Sequence, residues 1–344
     1  MISLRKVVSG GAFLFAMLLL QALAASAQTY SIIDLGTLGG KNSFAFSINA
    51  LGHTVGSSDN PDGHARAFLW TKASGMQDLG TLGGTSSKAF GVNDSGQVVG
   101  WSTTPANTTH AFLWTKENGM RDLGALNNGN SFATAVNDLG QVVGYSVDPD
   151  SGPTHAFLWT EKDGMRQLDS PGGADSRALA INVFGDVVGW FGSKGGPAHA
   201  ILWAKDGSVQ QLPLDNSQES QAVGINASGE IVGWKNKTGE QRGSFIWIRN
   251  TGSRDVDSPG SAFDTRAAAI NAFGQIVGTA FGTDSGIRAF VWAKSTATFL
   301  TDLISPASDW TINVASAINN MGQIAGYGTI GGQTHAFLLS PLRP

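Results

Sequence analysis

Lys88-Ala-Phe-Gly-Val-Asn93, Gln97-Val-Val-Gly-Trp-Ser102, His110-Ala-Phe-Leu-Trp-Thr115 and Met120-Arg-Asp-Leu-Gly124 read as four short strands in succession. Asn93-Asp-Ser-Gly96 joins the first two, with Asn first and Gly fourth as a type I turn with a following bulge prefers. Lys116-Glu-Asn-Gly119 joins the last two in the same way. The third strand is apolar on both faces, Phe112 and Trp114 on one and Ala111 and Leu113 on the other. A strand covered on both faces belongs inside a stack of sheets.

This unit recurs along the chain. The phrase Ala-x-x-(Ile/Val)-Asn-x-x-Gly occurs seven times, with Asn at 49, 93, 137, 182, 226, 271 and 319, spaced by 44, 44, 45, 44, 45 and 48 residues. Each Asn is followed by Gly three and seven residues on, as at Gly96 and Gly100. Four strands in about 45 residues is the size of a propeller blade, and no segment after residue 27 sustains a helical period. The expected fold is an all-β, seven-bladed β-propeller of four-stranded antiparallel blades.

Residue sizes follow the same plan. The position four before Asn is Ala in all seven copies, and the position two before it is Ser47, Gly91, Ala135, Ala180, Gly224, Ala269 or Ala317. Period-two alternation puts both on one face, as expected of an inner strand crowded by its neighbours. Trp70, Trp114, Trp159, Trp203, Trp247 and Trp292 fill one outer slot, with Leu339 in the seventh copy. Tyr30-Ser-Ile-Ile-Asp-Leu-Gly36 is a fourth strand without its first three, and His335-Ala-Phe-Leu-Leu339 a third without its fourth. The N-terminal strand is therefore expected to close the last blade, which also removes an exposed sheet edge.

The repeated His-Ala-Phe-Leu-Trp at 110–114 and 155–159, with Gly-Met-x-Asp-Leu-Gly after it, resembles the HAF-family extracellular repeat of bacterial exported proteins. The resemblance covers essentially all of 29–340 and implies a location outside the cytoplasm. It implies no particular activity. Arg66, Gly243 and Arg288 depart from it where His is expected, and Ile201 replaces Phe.

Residues 1–27 read as a cleaved leader. Arg5 and Lys6 precede an apolar run from Ala12 to Ala24, and Ala25-Ser26-Ala27 supplies the small residues before a signal-peptidase cut. The run is shorter than the roughly 20 residues that span a bilayer. The expectation is a secreted or periplasmic protein whose single seven-repeat domain occupies 28–344. Loss of Arg5 and Lys6 lowers the basic count from 22 to 20 against 26 acidic residues, a net charge of −6. Such a balance argues against nucleic acid and anionic membrane surfaces as partners. With no cysteine in the chain, thiol catalysis, cysteine-ligated metals and a lipoprotein anchor are excluded.

No catalytic residue, metal ligand or cofactor site is identifiable. His110, His155, His199 and His335 occupy one repeat slot in separate blades, where a hydrogen bond tying strands together is the expected role. Asp34, Asp78 and Asp122, with relatives Asp169, Asp255 and Asp302, recur and are expected to cap the turn into the next blade. Asp148-Pro-Asp-Ser-Gly152 begins like a calcium loop, but Trp159 stands where its last carboxylate is required. The loops joining second to third strands, and fourth strands to the next blade, share one face and vary between copies, as recognition surfaces do. Among them Ser305-Pro-Ala-Ser-Asp-Trp-Thr311 is the longest of its set, and its Trp310 and Asp309 are the candidate ligand-binding residues, suited to stacking on a sugar or anchoring a protein. These features favour a non-catalytic module that binds a glycan or a protein. The alternative is a propeller hydrolase or lyase acting on polysaccharide, and a purely structural surface component shares the same features.

Overall fold

The computed structural model describes residues 29–342, save 174, 215–217, 237–240, 261, 263 and 283–285. The leader read over 1–27 lies outside the described residues, as do parts of loops 235–242 and 280–287. Seven four-stranded antiparallel sheets follow one another around a ring. In the second blade the strands are Ser87–Val92, Val98–Thr103, Thr109–Thr115 and Gly119–Asp122, hydrogen-bonded in that order. The first strands of neighbouring blades touch one another all the way round, so they are the innermost.

The N-terminal strand closes the ring. Tyr30–Asp34 pairs antiparallel with Gln333–Pro341 and becomes the outer strand of the last blade, Tyr30 opposite Pro341 and Asp34 opposite Phe337. Tyr30 and Leu35 are buried on either side of it.

The core is divided into seven clusters, each shared by two adjacent blades. Ala67, Leu69 and Leu79 of the first blade meet Ala89, Val98, Phe112 and Trp114 of the second. Leu113 and Leu123 of the second meet Ala133, Phe157 and Trp159 of the third. The third-strand Phe residues 68, 112, 157, 245, 290 and 337 have no accessible surface. Truncating one to Ala therefore costs about 3–5 kcal/mol.

One sequence expectation is corrected. A β-bulge interrupts every inner strand between the Ala four before Asn and the small residue two before it, as between Ala89 and Gly91. The bulge inserts an extra residue, so the two positions lie on opposite faces instead of one. Ala133 accordingly packs toward the second blade and Ala135 toward the fourth. Opposite the bulge, a side chain at Gly100 would place its Cβ 1.9 Å from the Lys88 carbonyl oxygen, which explains why this position is always Gly. In the turn, Gly96 adopts φ +78°, a conformation that favours glycine.

The recurring Asn forms a belt at the axis. Each donates Nδ2–H to the backbone carbonyl of the next blade's Asn: Asn49 to Asn93, Asn93 to Asn137 and onward at 3.0–3.4 Å, until Asn319 returns to Asn49. Its Oδ1 accepts the N–H four residues on, as from Gln97 at 2.9 Å. A second polar tie runs between blades, in which the N–H of Ala111 donates to Oγ of Ser131, while that hydroxyl donates to the Gly124 carbonyl.

Candidate functional site

Three of the four repeat-slot histidines take the structural role expected of them, while His199 packs against the Phe191 ring at 5.7 Å. His110 Nδ1 lies 2.8 Å from Oδ2 of Asp122, and His335 Nδ1 lies 2.9 Å from Oδ2 of Asp34, each tying a third strand to a fourth. Where the slot holds Arg the same pairing persists, as Arg66 with Asp78 and Arg288 with Asp302. Where it holds Gly243, Lys235 lies directly across in the neighbouring strand and reaches Asp255 at 3.1 Å. In the third blade the position equivalent to Asp122 is Gln167, not Asp169, and Gln167 bonds His155. The other carboxylate oxygen caps the turn: Asp34, Asp78 and Asp122 each accept the N–H of the Gly two residues on at 2.7–2.8 Å. These aspartates are thus held twice, in separate blades.

Trp310 is placed differently from its expected role. Its ring is 8% exposed and packs edge-to-face on Phe337, centroids 5.9 Å apart, in the cluster that includes Tyr30, Leu300 and Leu303. The loop folds inward because that seam lacks the Trp of the other blades and has Leu339 instead. A buried ring offers no face for stacking on a sugar, so Trp310 is core. Asp309 beside it is exposed.

Exposed aromatic surface lies elsewhere on the same face. The residue after the recurring Gly of the second strand is Trp101, Tyr145, Trp190, Trp234 or Tyr327 in five of seven copies. It stands opposite the inner-strand residue five before Asn: Lys88 opposite Trp101, Phe132 opposite Tyr145, Arg177 opposite Trp190. Because second strands run from the Asn turn toward the variable loops, these pairs sit near the variable-loop end of the two innermost strands, around the axis. Contacts run from blade to blade. Trp101 meets Phe132 edge-on at 6.2 Å, Phe132 stacks on Tyr145 at 4.9 Å, and the Arg177 guanidinium lies 4.4 Å from the Tyr145 ring centre. Phe44 meets Tyr327 at 5.1 Å across the closing seam. Trp101, Phe132, Tyr145, Trp190 and Tyr327 are half-buried, whereas Trp234 is buried and belongs to the core. Burial holds the Tyr145 hydroxyl above the usual tyrosine range, with nearby Arg177 pulling it back in part. The five aromatics share one repeat slot in the sequence, but their exposure depends on the packing of neighbouring blades and is not stated by the repeat.

The opposite face has a different character. Leu51, Leu139, Phe184, Phe273 and Met321 sit at the same position of five Asn-x-x-Gly turns, each more than half exposed. A cavity of about 250 Å³ opens there at the axis, walled by the Asn belt and by Asp94, Asp138 and Asn320. A larger groove of about 750 Å³ lies between the turns of the first three blades, with His53, Gln97, Lys116 and Leu139 on its walls. Trp114 borders it but is 7% exposed, so this groove offers no aromatic platform. Among the described residues, no three His, Asp or Glu side chains gather to hold a metal ion, and no helix is long and apolar enough to cross a membrane.

Comparison with known proteins places the fold. No protein-family model matches the chain, and no curated protein does. Solved structures do match. An acylaminoacyl peptidase from Pyrococcus horikoshii superposes with a TM-score of 0.57 at 12% identity, over 90% of this chain and 54% of that one. A puromycin hydrolase gives a TM-score of 0.57 at 12% identity, over 89% of this chain and 52% of its own. TolB from Acinetobacter baumannii gives 0.49 at 11%, over 90% and 65%. The chain thus spans between half and two thirds of these longer proteins. The chain is a seven-bladed β-propeller, and at such identities the likeness is one of fold alone.

Proposed function

We propose that this chain is a non-catalytic binding module that recognises a glycan through the variable-loop face of its propeller. The observation that carries the reading is the run of half-buried aromatic rings, Trp101, Phe132 and Tyr145, on that face beside the axis. Aromatic rings held by a rigid scaffold offer apolar faces at little entropic cost, which suits the flat C–H faces of sugars. The leader read over 1–27 and the HAF-type resemblance support a secreted or periplasmic location, where polysaccharides are available. A protein ligand on the same face is the second arm of the test.

The competing reading, a hydrolase or lyase acting on polysaccharide, requires two carboxylates converging at a defined separation. Asp34, Asp78 and Asp122 give it little support, because each is engaged by a turn N–H and by a cation or imidazole of its own blade.

A thermal-shift screen against soluble polysaccharides, run with and without EDTA and divalent ions, tests the proposal. A ligand that prefers the native state must raise its melting temperature, by an amount that grows with ligand concentration. A saturable rise that is lost in Trp101→Ala and Tyr145→Ala, with the polysaccharide recovered intact, is the expected result. Degradation of the polysaccharide would establish the enzyme reading. No shift with any glycan, and a partner captured through the same face, would replace sugar with protein.

A further inference from the structure

Lys88 and Arg177 bracket the aromatic strip of blades two to four. Lys88 Nζ sits 5.9 Å from the ring centre of Trp101. The Arg177 guanidinium lies between two rings, 4.4 Å from Tyr145 and 5.3 Å from Trp190. Between the two cations run Trp101, Phe132 and Tyr145 in unbroken contact.

Three cationic side chains of these blades have an anionic partner, and among the described residues these two have none. They are His110, Arg121 and His155, each against a carboxylate. No carboxylate among the described residues forms an ion pair with Lys88 or Arg177, and Arg177 Nε is buried without a hydrogen-bond partner. Two acidic side chains of blades three and four are engaged elsewhere. Asp175 accepts the N–H of Thr154, and Asp148 is held by His155 and Asn127. With rings against the guanidinium and Nε buried, the groups left to a ligand are its terminal N–H groups, which suit planar or tetrahedral oxyanions.

We propose that the strip binds an acidic polysaccharide, its sugar rings on Trp101, Phe132 and Tyr145 and its carboxylate or sulfate groups on Lys88 and Arg177. This rests on the glycan reading above and adds the charge class of the ligand. The net charge of −6 is compatible, because two unpaired cations in an aromatic trough act locally, whereas binding a nucleic acid takes a whole basic face. The loops 147–154 and 191–198 flank the strip and are joined by Lys194, which donates to the Ser151 carbonyl at 2.8 Å.

The test is titration calorimetry of the mature chain with polygalacturonate, dextran sulfate and unmodified dextran at several salt concentrations. The expected result is binding of one or both polyanions that weakens as salt rises, with dextran much weaker. Arg177→Gln and Lys88→Gln should each cost about ten- to a hundredfold in affinity, as loss of a charge-assisted hydrogen bond does. Arg177→Lys should recover part of the loss, and Lys116→Gln on the opposite face should change nothing. Polygalacturonate alone binding would identify carboxylates, and dextran sulfate alone would identify sulfate esters. Equal binding of dextran, unaffected by Arg177→Gln but lost in Trp101→Ala, would overturn the acidic class while leaving the glycan reading intact. No binding by any of the three would count against both.

Discussion

Asn319 donates its side-chain N–H to the backbone carbonyl of Asn49, 3.0 Å away and 270 residues earlier in the chain. This bond completes a cycle in which seven blades are joined, each by the same atom of the same residue. The side chain also donates to Gln323 Oε1 at 2.9 Å and accepts the N–H groups of Met321 and Gln323 at 3.0 Å. It is 6% exposed, so loss of these bonds strands groups that water reaches poorly.

Asn319→Ala is therefore expected to lower unfolding free energy by on the order of 3 kcal/mol, since each buried unsatisfied group costs about 1–3 kcal/mol and water recovers part. Asn319→Asp keeps the two acceptor bonds but sets a carboxylate against the Asn49 carbonyl. Its stability should be lower at pH 7 than at pH 4, where the new carboxyl begins to regain a proton. Denaturant titrations at the two pH values check this; an unchanged midpoint for Asn319→Ala would show that the belt contributes nothing.

Asp122 separates turn capping from ion pairing. Asp122→Asn retains an acceptor for the Gly124 N–H and loses the charge facing His110, so a drop of less than about 1 kcal/mol is expected, as for exposed pairs. Asp122→Ala loses both and should be the worse by about another 1 kcal/mol. Chemical denaturation ranks them, and equal midpoints would refute the double role.

Deleting residues 28–36 removes the outer strand of the last blade and exposes the edge of Gln333–Pro341. A lower melting temperature or association through the bare edge is the expected outcome, read by calorimetry and size-exclusion chromatography. A deletion variant with unchanged melting temperature and unchanged monomeric state would show that closure is dispensable.

Tyr30 ties that strand to pH. Burial pushes its hydroxyl up to about 12 from an ordinary value of 10.0. The fold therefore holds this proton more tightly than the unfolded chain does. Its contribution is complete below pH 10 and is lost as pH rises from about 10 toward 12. Tyr145 and Tyr327 are raised too, so the comparison is between the parent and Tyr30→Phe. The variant should show a shallower fall in stability across that window, and an identical slope would contradict the assignment.

The repeat made the fold legible, because its structural demands recur from blade to blade: Gly100 by the bulge facing it and Asn93 by the axial belt in all seven copies, Phe112 by the inter-blade core in six. The bulge itself was not legible, since an extra residue leaves no mark in a pattern read as alternation. Of the candidate site, the sequence points to a face by its variable loops but not to Trp101, Phe132 or Tyr145 on it. Trp310 drew notice because it broke the pattern, and it broke the pattern because it fills a gap left by Leu339. Trp101 and Tyr145 obey the pattern and so carry no mark in the sequence, and their half-exposed position depends on where the second strand ends relative to the loops.

The most direct measurement of the account is hydrogen–deuterium exchange of the mature chain with and without a saturating polysaccharide from the screen. Added protection is predicted in Val98–Thr103, Val142–Val147 and Val187–Gly192 and in the loops that follow them. Protection confined to the Asn-x-x-Gly turns at 49–52, 137–140 and 182–185 would place the ligand on the opposite face and contradict the assignment to the aromatic run.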